Sequence, residues 1–328
     1  MRPGTGWLVP WLLVVAAGQV AAVEVLRRVF LGTIRGQLLD TAALDGNSIG
    51  QSYVEGLVDT VLSAMTVVSL AAATIAIGFI ALIRGRVLLA AATTLLIVGA
   101  NLTTQVVKQL VERPDYGVDL ARAAAGNSLP SGHTTVAASV AVALVMVLPS
   151  QLRAGAAVVG AGYAALAGVA TLSAGWHRPS DAVASLLIVG AWAALAGLLL
   201  AVAHRREDTD PARPHRVAAL ALFAAAVVLL AGATVAMLLT DRSITTQGEL
   251  FWGAEGRRSA ALGENLGRGR LLTAYAGGAI GIAGTASLVM ALVLATVHMV
   301  VPERGQVSRS GRPAGSAAAR RGAPVRAR

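Results

Sequence analysis

Apolar residues fall into eight long runs separated by short polar breaks, at about 7–23, 57–83, 87–107, 133–150, 154–174, 181–203, 217–239 and 273–300. A bilayer core about 30 Å thick requires roughly 20 mostly apolar residues per helical span. The alternating polarity of a barrel strand is absent, so these runs predict helices. The expected architecture is all-α, a polytopic helical membrane protein of about eight transmembrane helices. The first run reads as a retained span, because no clear small-x-small cleavage site follows a separate apolar region.

The breaks divide the chain. Residues 1–56 hold the first span and an outside segment, with a short interfacial helix expected around Val23–Leu38. Residues 57–203 form the core unit. Residues 204–300 read as an appended transmembrane hairpin with an outside loop. Residues 301–328 are rich in Arg, Ala, Gly, Ser and Pro, too poor in large apolar groups to offset ordering entropy, and are expected to be a disordered basic tail.

Composition supports the membrane reading: of 328 residues, 55% are hydrophobic and only 13% charged, about half the charge of a soluble domain. Cysteine is absent, which excludes disulfides, thiolate catalysis and cysteine metal sites. Alternating the sides of the eight spans explains the net charge of +10. The side holding the N-terminus receives fifteen basic and four acidic residues, the other side twelve basic and thirteen acidic. Positive residues collect in cytoplasmic loops, so both termini are expected in the cytoplasm. Membrane lipid is then the partner of the basic surface, and nucleic acid need not be invoked.

Three polar clusters remain, and this topology puts all three on the non-cytoplasmic side. The first contains Lys108, the only lysine in the chain, followed by Arg113-Pro114. The second is Pro130-Ser131-Gly132-His133, at the start of a predicted helix, where free first-turn N–H groups make an anion site. In the third, His177 precedes Asp181 by four residues, so the carboxylate can accept a proton from one ring nitrogen and leave the other as base or nucleophile.

This set, in this order and at these helix ends, resembles the type 2 phosphatidic acid phosphatase superfamily, which includes lipid phosphate phosphatases and undecaprenyl pyrophosphate phosphatases. The resemblance covers roughly 57–203 and makes that unit the catalytic core. It implies a hydrolase in which His177 attacks phosphorus and becomes a phosphohistidine, Asp181 stabilises its imidazolium, and His133 protonates the leaving oxygen and then activates water. Lys108, Arg113 and the N–H groups around Ser131 and Gly132 would neutralise the phosphoryl oxygens. The implied chemistry uses no metal or other cofactor. The implied substrate is a lipid phosphate monoester or a polyprenyl diphosphate, met at the extracytoplasmic face of the plasma membrane.

Two positions depart from the family pattern. Arg-Pro follows the lysine after four residues rather than six, leaving Asp115 at the usual place. A five-residue step points about 140° away on a continuous helix, so Arg113 reaches a phosphate only if the helix ends before Pro114. Thr171 stands where the family has a further arginine. Arg178 or Arg122 would have to substitute, although headgroup contact is the plainer expectation for both. Other plain roles are helix capping for Asp181, snorkelling for Lys108 and Arg113, and interfacial anchoring for Trp7, Trp11 and Trp176. The departures also motivate the alternative of a non-catalytic lipid-phosphate-binding or transport protein. A transporter with an intramembrane polar pathway is disfavoured, because helix interiors carry almost no ionisable groups.

Overall fold

The computed structural model describes residues 6–48, 67–119, 126–203, 215–246 and 266–301, together with positions 56, 58, 60 and 63. The expected basic tail, Arg122 and most of the two long loops lie outside the described residues. Among those described there are nine α-helices and no strand. They are α1 (Leu8–Leu26), α2 (Ile34–Asp45), α3 (Val67–Ile83), α4 (Val87–Leu110), α5 (Gly132–Val147), α6 (Ser150–Ser173), α7 (Pro179–Ala203), α8 (Arg216–Thr246) and α9 (Gly267–Val300). Each predicted apolar run contains one helix other than α2. Six helices are long and apolar enough to cross a bilayer, and α3 and α5 are shorter apolar helices. The protein is an all-α polytopic membrane protein.

The short helix after the first span lies later than Val23–Leu38. Helix α1 continues through a π-helical turn to Leu31, with Glu24 paired to Arg27 at 2.7 Å and Arg28 at 2.6 Å. Thr33 then caps α2 by accepting the Gly36 N–H at 2.9 Å. Leu38, Ala42 and Ala43 of α2 pack with Val118, Ile244, Leu266 and Leu271.

Helices α4, α5, α6 and α7 pack around one another, with α1 against α7. The two helices of the last hairpin are attached unequally. Helix α9 lies against α6, α7 and α2, whereas α8 packs chiefly on α9 and buries only four residues. Small residues allow that close approach, as at interfaces between membrane helices. A Cβ on Gly278 would fall 2.5 Å from Pro179, and one on Gly168 would fall 2.6 Å from Ile282.

The two ends of this bundle differ. One carries Arg84, which donates to the Val147 carbonyl at 2.9 Å, and buried Arg153, which donates to the Leu148 and Val301 carbonyls at 3.0 and 3.3 Å. The other end gathers all three polar clusters. Helix α5, at 16 residues, spans about 24 Å, less than the roughly 30 Å hydrocarbon core. Its first turn packs beside Gly168, well before α6 ends at Ser173, so the start of α5 is recessed between longer neighbours.

Candidate active site

The turn from α6 to α7 is built on Thr171. Its carbonyl accepts the N–H groups of both Trp176 and His177, at 3.0 and 3.1 Å. Gly175 supplies the positive φ of +72° that reverses the chain there. The reversal buries His177 beneath the start of α7. Thr171, at the position of an expected cation, therefore shapes the turn through its backbone.

Asp181 is fully buried in the first turn of α7. Its Oδ2 meets His177 Nδ1 at 3.2 Å and accepts the Arg178 N–H at 3.0 Å. Capping and imidazole support are thus one arrangement. With Nδ1–H directed at the carboxylate, Nε2 carries the lone pair.

The Pro130-Ser131-Gly132-His133 segment is fastened to this turn. Ser131 N–H donates to the Asp181 carbonyl at 3.0 Å, and the Ser185 hydroxyl lies 2.8 Å from the Ser131 carbonyl and 2.9 Å from that of Asp181. The Ser131 hydroxyl accepts from the N–H and hydroxyl of Thr134, at 3.4 and 3.0 Å. Ser131, expected as a phosphate donor, is fully buried, and its N–H is spent on the fold. The first-turn N–H groups of Gly132 and His133 are those for which a helix start offers no internal partner. A Cβ on Gly132 would approach nothing closer than Gln105 at 4.0 Å, which leaves open space beside that turn.

His133 is half-buried, and its ring centroid lies 5.4 Å from that of Trp176, tilted by 48°. Trp176 is thus a neighbour of the site as well as an exposed aromatic. His133 is within electrostatic range of His177 and of Lys108, and Lys108 is within range of Asp181.

Helix α4 ends at Leu110, and Val111 is extended at φ −95° and ψ 118°. The helix therefore stops before Pro114, which removes the spacing difficulty for Arg113. Its guanidinium turns inward among Asp40, Asp119, Asp181 and Arg178. Both terminal nitrogens, Nη1 and Nη2, are buried with no hydrogen-bond partner among the described residues. Burial first, and then the Arg178 charge, lower its pKa. Arginine nevertheless remains cationic.

Arg178 is only 4% exposed, so the headgroup role expected for it is corrected. Its guanidinium binds Asp119 at 2.5 Å and the Ser128 hydroxyl at 3.3 Å. That burial depends on Asp119, which lies in a different loop.

Asp40 of α2 escaped the sequence reading. It is buried and accepts the backbone N–H of Ser180 at 3.1 Å and its hydroxyl at 2.5 Å, fixing the start of α7 from outside. Burial, followed by the nearby Asp181 charge, raises its pKa to about 6. The available signal was one carboxylate within Leu38-Leu39-Asp40-Thr41-Ala42-Ala43-Leu44, since such groups are seldom buried unless paired. Among the described residues, no group of three or more His, Asp or Glu side chains converges as metal ligands.

A family model described as the PAP2 superfamily matches residues 86–208. Over those residues the chain is similar to the PAP2 superfamily. No curated protein and no solved structure matches the chain. The segment matched by the PAP2 model holds Lys108, Arg113, His133, His177 and Asp181, while Asp40 comes from before it.

Proposed function

We propose that the protein is a membrane phosphatase that hydrolyses a lipid-linked phosphate monoester or diphosphate through a phosphohistidine on His177. The reading rests on one observation above the others. A buried His177–Asp181 pair shares its mouth with His133 and with an Arg113 guanidinium whose terminal nitrogens have no hydrogen-bond partner among the described residues. A buried cation left unpaired is costly, and a bound phosphate would satisfy it.

In the first step, His177 Nε2 forms a bond to phosphorus as the bond from phosphorus to the leaving oxygen breaks. His133 gives that oxygen a proton. Asp181 offsets the positive charge on the His177 ring. In the second step, His133 takes a proton from water, whose oxygen attacks phosphorus and releases inorganic phosphate from His177. Lys108, Arg113 and the N–H groups of Gly132 and His133 stabilise charge on the phosphoryl oxygens in both steps.

The charge asymmetry supports a cytoplasmic location for the Arg84 and Arg153 end, and so an extracytoplasmic site. The test is phosphate release from a short-chain phosphatidic acid by purified protein and by His177→Ala. Release by the former alone supports the reading. Equal release by both would remove the His177 mechanism, and background release by both would favour a non-catalytic binder.

A further inference from the structure

A cavity of about 290 Å³ is lined by both members of the Asp40–Ser180 pair and bounded by α2, α7, α8, α9 and the end of the first span. Of its lining, only Pro179, Ser180 and Val183 come from the PAP2 segment. Close-packed interiors leave few voids larger than a water molecule. This one holds roughly ten groups of water or methylene size, at about 30 Å³ each.

The chemistry of the wall selects the occupant. Thr234, Thr240 and Thr285 each donate their hydroxyl to a carbonyl of their own helix, at 2.8, 2.9 and 2.9 Å. Asp40 is engaged by Ser180. The polar groups facing the cavity are thus satisfied within the protein, and the remaining wall is aliphatic, aromatic or glycine. Such a space rewards a hydrocarbon and penalises a polar ligand.

Its shape points the same way. On α9 the lining runs from Ala274 to Thr285, about 16 Å at 1.5 Å per residue. That is close to one leaflet of a hydrocarbon core about 30 Å thick. One end abuts Ser180, the neighbour of Asp181. Thr234 and Met237 are exposed, so the cavity opens on the lipid-facing side of α8.

We infer that this cavity binds a hydrocarbon chain of the lipid phosphate substrate, holding it in one leaflet while the phosphate occupies the mouth. The inference rests on the phosphatase reading for the identity of the headgroup. It gives α8 and α9 a role the PAP2 segment does not supply.

Two measurements test it. Thr234→Trp places a large ring at the exposed rim of the cavity. It should lower kcat/KM for a long-chain phosphatidic acid by roughly tenfold or more, the scale of discrimination in apolar pockets, while leaving a dihexanoyl substrate unchanged. Equal kinetics for wild type and Thr234→Trp on the long-chain substrate would overturn the inference. The second uses His177→Ala protein and a long-chain phosphatidic acid bearing a diazirine in its chain. Cross-links are expected at 230–240 and 274–285, competed by unlabelled phosphatidic acid more strongly than by the matching diacylglycerol. Labelling elsewhere, or equal competition by the two lipids, would show ordinary bilayer contact and overturn it. The cross-link needs no turnover, so an absence of phosphate release by the wild type sinks the phosphatase reading and leaves the cavity to be judged separately.

Discussion

Ser131 donates its backbone N–H to the carbonyl of Asp181 at 3.0 Å, across fifty residues of sequence. Through this bond the start of α5 and the start of α7 become one rigid platform, with Ser185 bridging the same two carbonyls. His133 and His177 stand on opposite halves of that platform.

Removing the bridge should loosen the platform without touching either imidazole. Ser185→Ala is expected to lower stability by about 0.5–1.5 kcal/mol, the net worth of one hydrogen bond, because each carbonyl keeps another donor. Thermal melting in detergent measures this, and phosphate release should fall with it.

Asp181→Asn keeps the shape and removes the charge behind His177. By analogy with the aspartate of a serine-protease triad, kcat is expected to fall by up to about 10⁴-fold. Phosphate release at saturating short-chain lipid phosphate, with melting as a control for folding, checks it.

Arg113→Ala should behave in the opposite way to a core mutation. The terminal nitrogens have no hydrogen-bond partner among the described residues, so the melting temperature should not fall. kcat/KM is expected to drop about 10²–10³-fold, as when one preorganised donor is removed from a developing anion. Arg113→Lys should not restore it, since an ammonium lacks the planar fork.

Asp40 ties stability to pH. Its pKa in the folded protein, about 6, lies above the ordinary value of 3.8, so the native state holds this proton more tightly than the unfolded chain. Its contribution therefore grows as pH falls through about 6 and is lost as pH rises through that value. Melting curves from pH 4 to 7 should show this slope, and Asp40→Asn should flatten it.

The absence of cysteine makes sidedness directly measurable. Glu112 and Gln151 are exposed at opposite ends of the bundle. In right-side-out vesicles, an impermeant maleimide should label Glu112→Cys and spare Gln151→Cys.

Most of the bundle was legible in the sequence because membrane spans are local: each declares itself by an apolar run of the required length. The end of α4 was legible for the same reason, since Pro114 acts on its immediate neighbours. What escaped depends on partners distant in sequence. Arg178 looks like a headgroup ligand until Asp119 is brought beside it, and Asp40 looks like a loop acid until Ser180 meets it. Ser131 shows the limit within a recognised motif. Its residue type suggested a phosphate donor, but only the fold shows that α7 consumes its N–H. The last hairpin is a further case, because hydropathy counts α8 and α9 alike while packing places α9 against the core.

The central claim is that His177 carries the phosphoryl group. The most direct measurement is acid-quenched trapping of radioactive phosphate from labelled substrate, followed by mapping of the labelled peptide. An acid-labile, base-stable label on the peptide containing His177 is expected, accumulating in His133→Ala and absent in His177→Ala. An undiminished label in folded His177→Ala protein, or a label mapped to another residue, would contradict the account.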